Sequence, residues 1–434
     1  MRKIIIIICG AGLKKLKWFG GSGFLLLVVF MLWLHHDEPL SQETQQLLSL
    51  QEGYKPELKT HPYFFMLGFD AKQNVDPMVL GRLRYHQDWA NYFQHKQNLS
   101  GQPSALELKL TSSGTSAETK QLLSDFKRQY QTEQSFDMGW IVQHKIQIQK
   151  AIQRDYGWIE RYQTLLQQSP QSELLQPPDA VWANYGLLMN VHYLYLMNLL
   201  TSNQPAQQLQ QYIEHLTQSM SRSNHLVDQM VLVEKINTST QLLHDLNRKE
   251  HHHLSLDGLS LQQLSMRKTL AMEANIMVLV NPFNVTHSSE SGDGVTFWQR
   301  LALPFVYLPH MTTNQYVRDL QQVIVLSEMN YADFKKDINH LAAIKPDHIV
   351  VKNFVGNILM QIGGPSMQKY LIKMRQLDHT ILLFNVLNSQ QTWNVQSLNQ
   401  NKEGYEFYQT DTRLCIKSPY LEKTVWNEDR CMSL

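Results

Sequence analysis

The chain has 434 residues, 43% of them hydrophobic and only 18% charged, enough apolar mass for one large domain or two to three ordinary ones. Its net charge of +1 is uneven: Arg2, Lys3, Lys14, Lys15 and Lys17 fall in the first 34 residues with no acid among them, and +1 less those five leaves −4 for the rest. A faintly acidic body lacks the clustered Lys and Arg that face phosphates, which argues against nucleic acid as a partner.

The first element is an apolar run. Trp18 to Leu34 is 17 residues without a charge, at the short end of what spans a hydrocarbon core. Three lysines precede it, and His35, His36, Asp37 and Glu38 follow it, so the positive-inside rule puts the N-terminus in the cytoplasm and the bulk outside. No small-x-small cleavage site follows in "LWLHHDEPLSQE", so an uncleaved signal anchor is expected. Cys9 lacks the upstream residues of a lipoprotein site. The run "IIIIICGAGL" (4–13) is too short to span, and one hypothesis for it is a translation start near Leu13.

Residues 35–60 are polar with two prolines and predict a spacer, partly helical. The folded part is expected to begin at "HPYFFMLGFDA" (61–71), where Tyr63, Phe64, Phe65 and Phe69 read as core. Asp76 before Pro77 predicts a capped helix start. Ile141, Ile148, Ile152, Ile159, Tyr162 and Leu166 lie on one helical face, with a bend expected at Gly157. The uncharged stretch 180–200 is long enough to cross a bilayer. Asn184, Asn190, Asn198 and His192 stud several of its faces, so a central core helix is expected instead. As a second span it would return the later chain to the cytoplasm.

Ser260 and Gln263 predict a capping box, and further helices are expected near 117–131, 206–220, 222–248, 313–328, 331–343 and 364–388. "IGGPS" (362–366) reads as a helix stop and restart, and the polar "NVTHSSESGDGVTFW" (284–298) as a loop. Strands are expected at 348–354 and within 403–418, where Tyr405 and Phe407 alternate. The fold class is therefore mainly α: an N-terminal single transmembrane helix, then a multi-helix extracytoplasmic domain with a small C-terminal β element. The expected divisions are a basic cytoplasmic N-terminus (1–17), the anchor (18–34), the spacer (35–60), a helical bundle (61–280) and a C-terminal helical subdomain holding the β element (281–434). Cys415 and Cys431, on the exported side, are expected to form a disulfide; two buried free thiols are the alternative.

Few motifs in the chain carry chemistry. Ser265-Met-Arg-Lys268 matches S-x-x-K, in which a lysine assists a serine nucleophile, but no K-T-G or S-D-N partner accompanies it. Glu250, His251, His252, His253 and His244 could offer imidazoles to a metal, yet adjacent histidines on a helix point apart, and a solvated helix end is the simpler reading. G-x-S-x-G, Walker A, the Rossmann glycine fingerprint and C-x-x-C are absent. Sequons at Asn98, Asn237 and Asn284 suggest a lumenal type II transferase, but the chain has no Asp-x-Asp and no alternating strand–helix pattern. No catalytic, cofactor or metal residue is assigned.

Three pieces carry a resemblance: "PYFFMLGFDA", "PFVYLPHMTTNQY" (304–316), and "NFVGNIL" (353–359) followed by "MRQLDHTILLFNVL". Together they resemble a group of uncharacterised single-pass inner-membrane proteins of Gram-negative bacteria. In that group the last motif usually reads Asn-Pro-x-Gly, and Phe354 stands here in place of the proline. The resemblance implies an inner-membrane protein with a mostly helical periplasmic body, and it implies no activity. The expected function is non-enzymatic binding or scaffolding of another cell-envelope protein or of envelope material. An envelope hydrolase with a site scattered through the sequence is the alternative.

Overall fold

In a computed structural model, which describes residues 28–34, 36–94, 110–112, 114–133, 136–168, 174–178, 180–279, 307–341, 352–353, 355–357, 367–389, 393–402, 404–419 and 428–434, helices succeed one another and a small sheet closes the chain. Of the 18–34 run only 28–34 is described; it is helical, with Val29, Phe30, Leu32 and Trp33 exposed. Among the described residues no helix is long and apolar enough to cross a membrane. Cys9, Asn98, Asn284, the 284–298 loop and "IGGPS" lie outside the described residues.

The stretch expected as a spacer is partly helical and packs onto the body. Helix α1 (Gln42–Leu48) is capped by Ser41, whose hydroxyl accepts the Thr44 N–H, and buries Thr44 and Leu47. Helix α2 (Pro62–Leu67) starts at His61, whose ring accepts the Tyr63 N–H. It buries Tyr63, Phe64, Phe65 and Leu67, so the aromatic cluster is core, as expected. Helix α3 (Pro77–Gln94) begins where Asp76 accepts the Met78 N–H at 2.9 Å. It lies directly on α2: a Cβ at Gly68 would fall 1.9 Å from the Pro77 carbonyl oxygen, and one at Gly81 1.7 Å from that of Phe64. Only glycine permits that approach.

Helix α4 (Ala117–Glu133) leads to the long amphipathic stretch. That stretch is three helices, α5 (Met138–Gln143), α6 (Lys145–Arg154) and α7 (Tyr156–Gln167), broken at His144 and Asp155. The expected bend at Gly157 is thus misplaced: Gly157 is already inside α7, and Asp155 is drawn out of helical geometry while its carboxylate accepts the Ser116 N–H ahead of α4. Helix α8 (Tyr185–Leu200) is the core helix anticipated for 180–200; Asn184 caps it, and ten of its residues are buried, His192 among them. Helix α9 (Pro205–Met220) follows.

Helix α10 (Leu226–Glu250) is the axle of the molecule. It packs against α8 and α9, and later chain elements close over it. Its C-terminus is turned by His251 in the left-handed region at φ 58°. The Ser260–Gln263 capping box is present, but it opens only the short α11 (Leu261–Leu264). The next helix, α12 (Arg267–Leu279), starts separately because the Ser327 hydroxyl takes the Met266 N–H. Helix α13 (Pro309–Ser327) packs with α12 and α1, and α14 (Tyr331–Leu341) packs on α13. Helix α15 (Met367–Asn388) lies along α10, and Arg375 on it donates to the carbonyls of Leu326, Ser327 and Met329 at the end of α13.

After α16 (Val395–Asn401) come β1 (Phe407–Gln409), β2 (Arg413–Ile416) and β3 (Arg430–Ser433), antiparallel in that order. Cys415 faces Cys431 across β2 and β3 with Cα atoms 4.0 Å apart, and the two form a disulfide. The hairpin expected within 403–418 is therefore present. Of the strand expected at 348–354, only 352 and 353 are described, and they form a turn with Asn353 at φ 59°. One apolar cluster runs from Phe65 on α2 to Met432 on β3. A second gathers Leu47, Leu270, Tyr316, Ile324 and Phe334, and a third joins α2 and α3 to Leu174, Leu175 and Met272.

Candidate functional site

On α10, Asp228, Val231, Leu232 and Lys235 recur at helical spacing and share one stripe. That stripe forms one wall of a cavity of about 130 Å³. The opposite walls come from Tyr63 and Met66 on α2, Tyr162, Leu165 and Leu166 on α7, Tyr185 and Leu188 on α8, and His215, Leu216 and Ser219 on α9. Exposed Arg222 and buried Ser223, in the turn between α9 and α10, complete it.

Lys235 is the unusual member. It is 6% exposed, and its ammonium makes no hydrogen bond or ion pair among the described residues. What it has is the face of Tyr162, whose ring centre lies 5.0 Å from Nζ. Burial pulls its pKa down to about 8, with Asp228 opposing. A lysine so placed is rare, because desolvating an ammonium costs several kcal/mol unless something compensates.

Behind Tyr162 runs a buried hydrogen-bonded chain. The Tyr162 and Tyr212 hydroxyls are 2.7 Å apart, and Tyr212 is 2.7 Å from His192 Nδ1. His192 Nε2 is buried with no hydrogen-bond partner among the described residues. Burial, helped by the charges of Lys235 and Lys127, keeps this imidazole well below its usual range and hence neutral. His215, on the cavity wall, is lowered by burial and by Arg222.

The residues singled out by motif do not converge here. The Ser265 hydroxyl donates to Glu328 at 2.7 Å, while Lys268 reaches the Ser221 carbonyl at 3.3 Å, so the S-x-x-K pair is split between two structural contacts. His244 is locked inside the body between the Ser433 carbonyl and the Asn388 amide. His252 pairs with Glu250 at the surface. Among the described residues, no group of three or more His, Cys, Asp or Glu is placed to hold a metal ion. Asn237 accepts a hydrogen bond from Thr380 between α10 and α15, a packing role for that sequon.

A second polar cluster sits where the chain leaves the 28–34 helix. Leu308, the N-cap of α13, has no side-chain oxygen to offer, and Asp37 supplies one: its carboxylate accepts the His310 and Met311 N–H groups at 2.9 and 3.0 Å. Asn314 donates to Glu38 and to the Pro39 carbonyl and accepts the Ser41 N–H. Buried Asn353 accepts the Leu308 N–H and bonds Thr312, while Lys352 lies over the Trp33 ring. Two of the three resembling pieces, around 304–316 and 353–359, therefore meet in space.

No known protein family, curated protein or solved structure matches this chain. The cavity thus has to be interpreted from its own chemistry. A sequence signal for it exists in hindsight: Lys235 shares its stripe with Val231, Leu232 and Leu242, so a charge interrupts an apolar face. Among the other charges of α10 it looks like ordinary solvated surface.

Proposed function

We propose that this chain is a membrane-tethered binding protein of a Gram-negative cell envelope: one N-terminal apolar helix in the inner membrane, the helical body in the periplasm, and the cavity at Lys235 as the place where envelope material binds. The tether is supported by the uncharged run Trp18–Leu34 behind its lysines, by the helical, outward-facing apolar residues of 28–34, and by a disulfide suited to an oxidising compartment. The observation that carries the binding reading is the buried Lys235 ammonium, which lines a mostly apolar cavity without an acceptor. The hydrolase reading gains no comparable support, since Ser265 donates to a Glu328 carboxylate that Arg267 already grips through two hydrogen bonds and that is a weakened base for it, while Lys268 is turned to the Ser221 carbonyl.

Topology tests the tether. In intact cells the body should resist added protease, and in spheroplasts it should be digested, with Cys415 and Cys431 unreactive to alkylating reagent until reduced. A body protected in spheroplasts, or alkylation of Cys415 or Cys431 without reductant, would end this reading.

A further inference from the structure

We infer that the cavity binds a small organic monocarboxylate, its head paired with the Lys235 ammonium and its apolar body lying against Leu165, Leu188, Leu216 and Leu232. The inference deepens the binding reading and rests on it.

Four observations carry it. First, the cation is present without its counter-charge at hydrogen-bond range. Glu234, beside it in sequence, is not part of the cavity wall and accepts from Thr238 instead, and Asp228, the acid that does line the cavity, lies seven residues away, about 10 Å along the axis. The cavity wall thus carries two cations, Lys235 and Arg222, against the one carboxylate of Asp228, and a single anionic head balances the remaining positive charge. Second, the volume suits a short body: an apolar cavity of about 150 Å³ is known to take benzene, and this one is about 130 Å³. Third, the walls are largely apolar, so a dianion such as a phosphate monoester would leave a charge uncompensated, whereas one carboxylate matches one ammonium. Fourth, the buried cation is a lysine, a point charge sufficient for a carboxylate, while the guanidinium of the lining, Arg222, is exposed and stands with Asp228.

Binding should also draw a proton. The titratable groups around the ammonium are Tyr63, Tyr162, Tyr185, His215, Arg222 and Asp228, and Lys235 is the one whose charge changes near pH 8. The charged form is the binding form, so affinity should fall as pH rises through that range.

The test uses the full-length chain in lipid nanodiscs, titrated calorimetrically with hexanoate and with 1-hexanol. Hexanoate should bind at least about tenfold tighter than hexanol near pH 7. That preference should shrink by about pH 9.5 and vanish in Lys235→Met, which keeps the side chain's length without its charge. Should Lys235→Met not fold, the wild-type ratio and its pH dependence decide the matter. Equal binding of acid and alcohol, or a preference that survives in Lys235→Met, would overturn the carboxylate assignment while leaving the cavity as a binding site. Binding of neither probe would overturn both.

Discussion

His244 shows how a single side chain is set by where the fold puts it. In sequence it stands near a run of imidazoles, while in the structure its Nε2 meets the Ser433 carbonyl at 2.8 Å and its Nδ1 faces the Asn388 amide at 3.2 Å. With Nε2 donating and Nδ1 accepting, both nitrogens are satisfied only in the neutral ring. Burial takes its pKa down to about 4, and it does the same for His225, while His379 falls to about 3. A depressed base stabilises the fold above its unfolded pKa of about 6.5, and that contribution is lost as pH falls towards the folded value. Asp245 and Glu273 act in the opposite sense: burial raises them to about 6 and about 7, so their cost is relieved as pH falls. The histidines are more numerous, since His61, His192 and His215 are lowered as well, against Asp319 and Asp378 on the acidic side. The urea midpoint should therefore drop between pH 7 and pH 4.5, and His244→Asn should flatten that drop. A midpoint unchanged over this range would show that these rings are not neutral in the fold. Neither the burial of His244 nor that of Lys235 is legible in the sequence, because each sits among charges and polar residues that mimic a solvated face.

Among the elements, those with a local cause were the readable ones. Asp76 before Pro77, the Ser260–Gln263 box and the amide-studded 180–200 run all act within a turn or two, and each appears where expected. The Gly157 bend failed for the complementary reason: Asp155 ends α6 in company with Ser116, nearly forty residues earlier in the chain. The N-terminus of α13 is a similar long-range case, since its cap comes from Asp37. Asp37→Ala should lower the unfolding free energy by about 1 kcal/mol, the usual cost of a lost N-cap. It should also speed amide exchange at His310 and Met311, the two groups that Asp37 accepts from, more than in α14. Equal protection of those amides in the variant would mean that solvent or another group caps the helix as well.

For the molecule as a whole, α10 and α15 are the joint between the early and late parts of the chain, and the sheet closes over α15. The disulfide pins the last strand to that sheet. Breaking it in the double variant Cys415→Ala/Cys431→Ala should cost about 3 kcal/mol in the chain-entropy description of a loop this size, and the loss should show as a lower urea midpoint. Wild-type protein with reductant should behave like the variant. If the two differ widely, the sulfurs contribute packing apart from the cross-link.

Helical character, the C-terminal hairpin and the core role of 180–200 could be read from composition, periodicity and spacing, because those signals arise from neighbours within a few residues, and the pairing of Cys415 with Cys431 could be read because they are the two cysteines of the C-terminal tail. The cavity, the Tyr162–Tyr212–His192 chain, the lone ammonium of Lys235 and the Asp37 cap could not. Each depends on side chains brought together from distant parts of the chain, and burial, which gives a charge its meaning, is settled only when the helices pack.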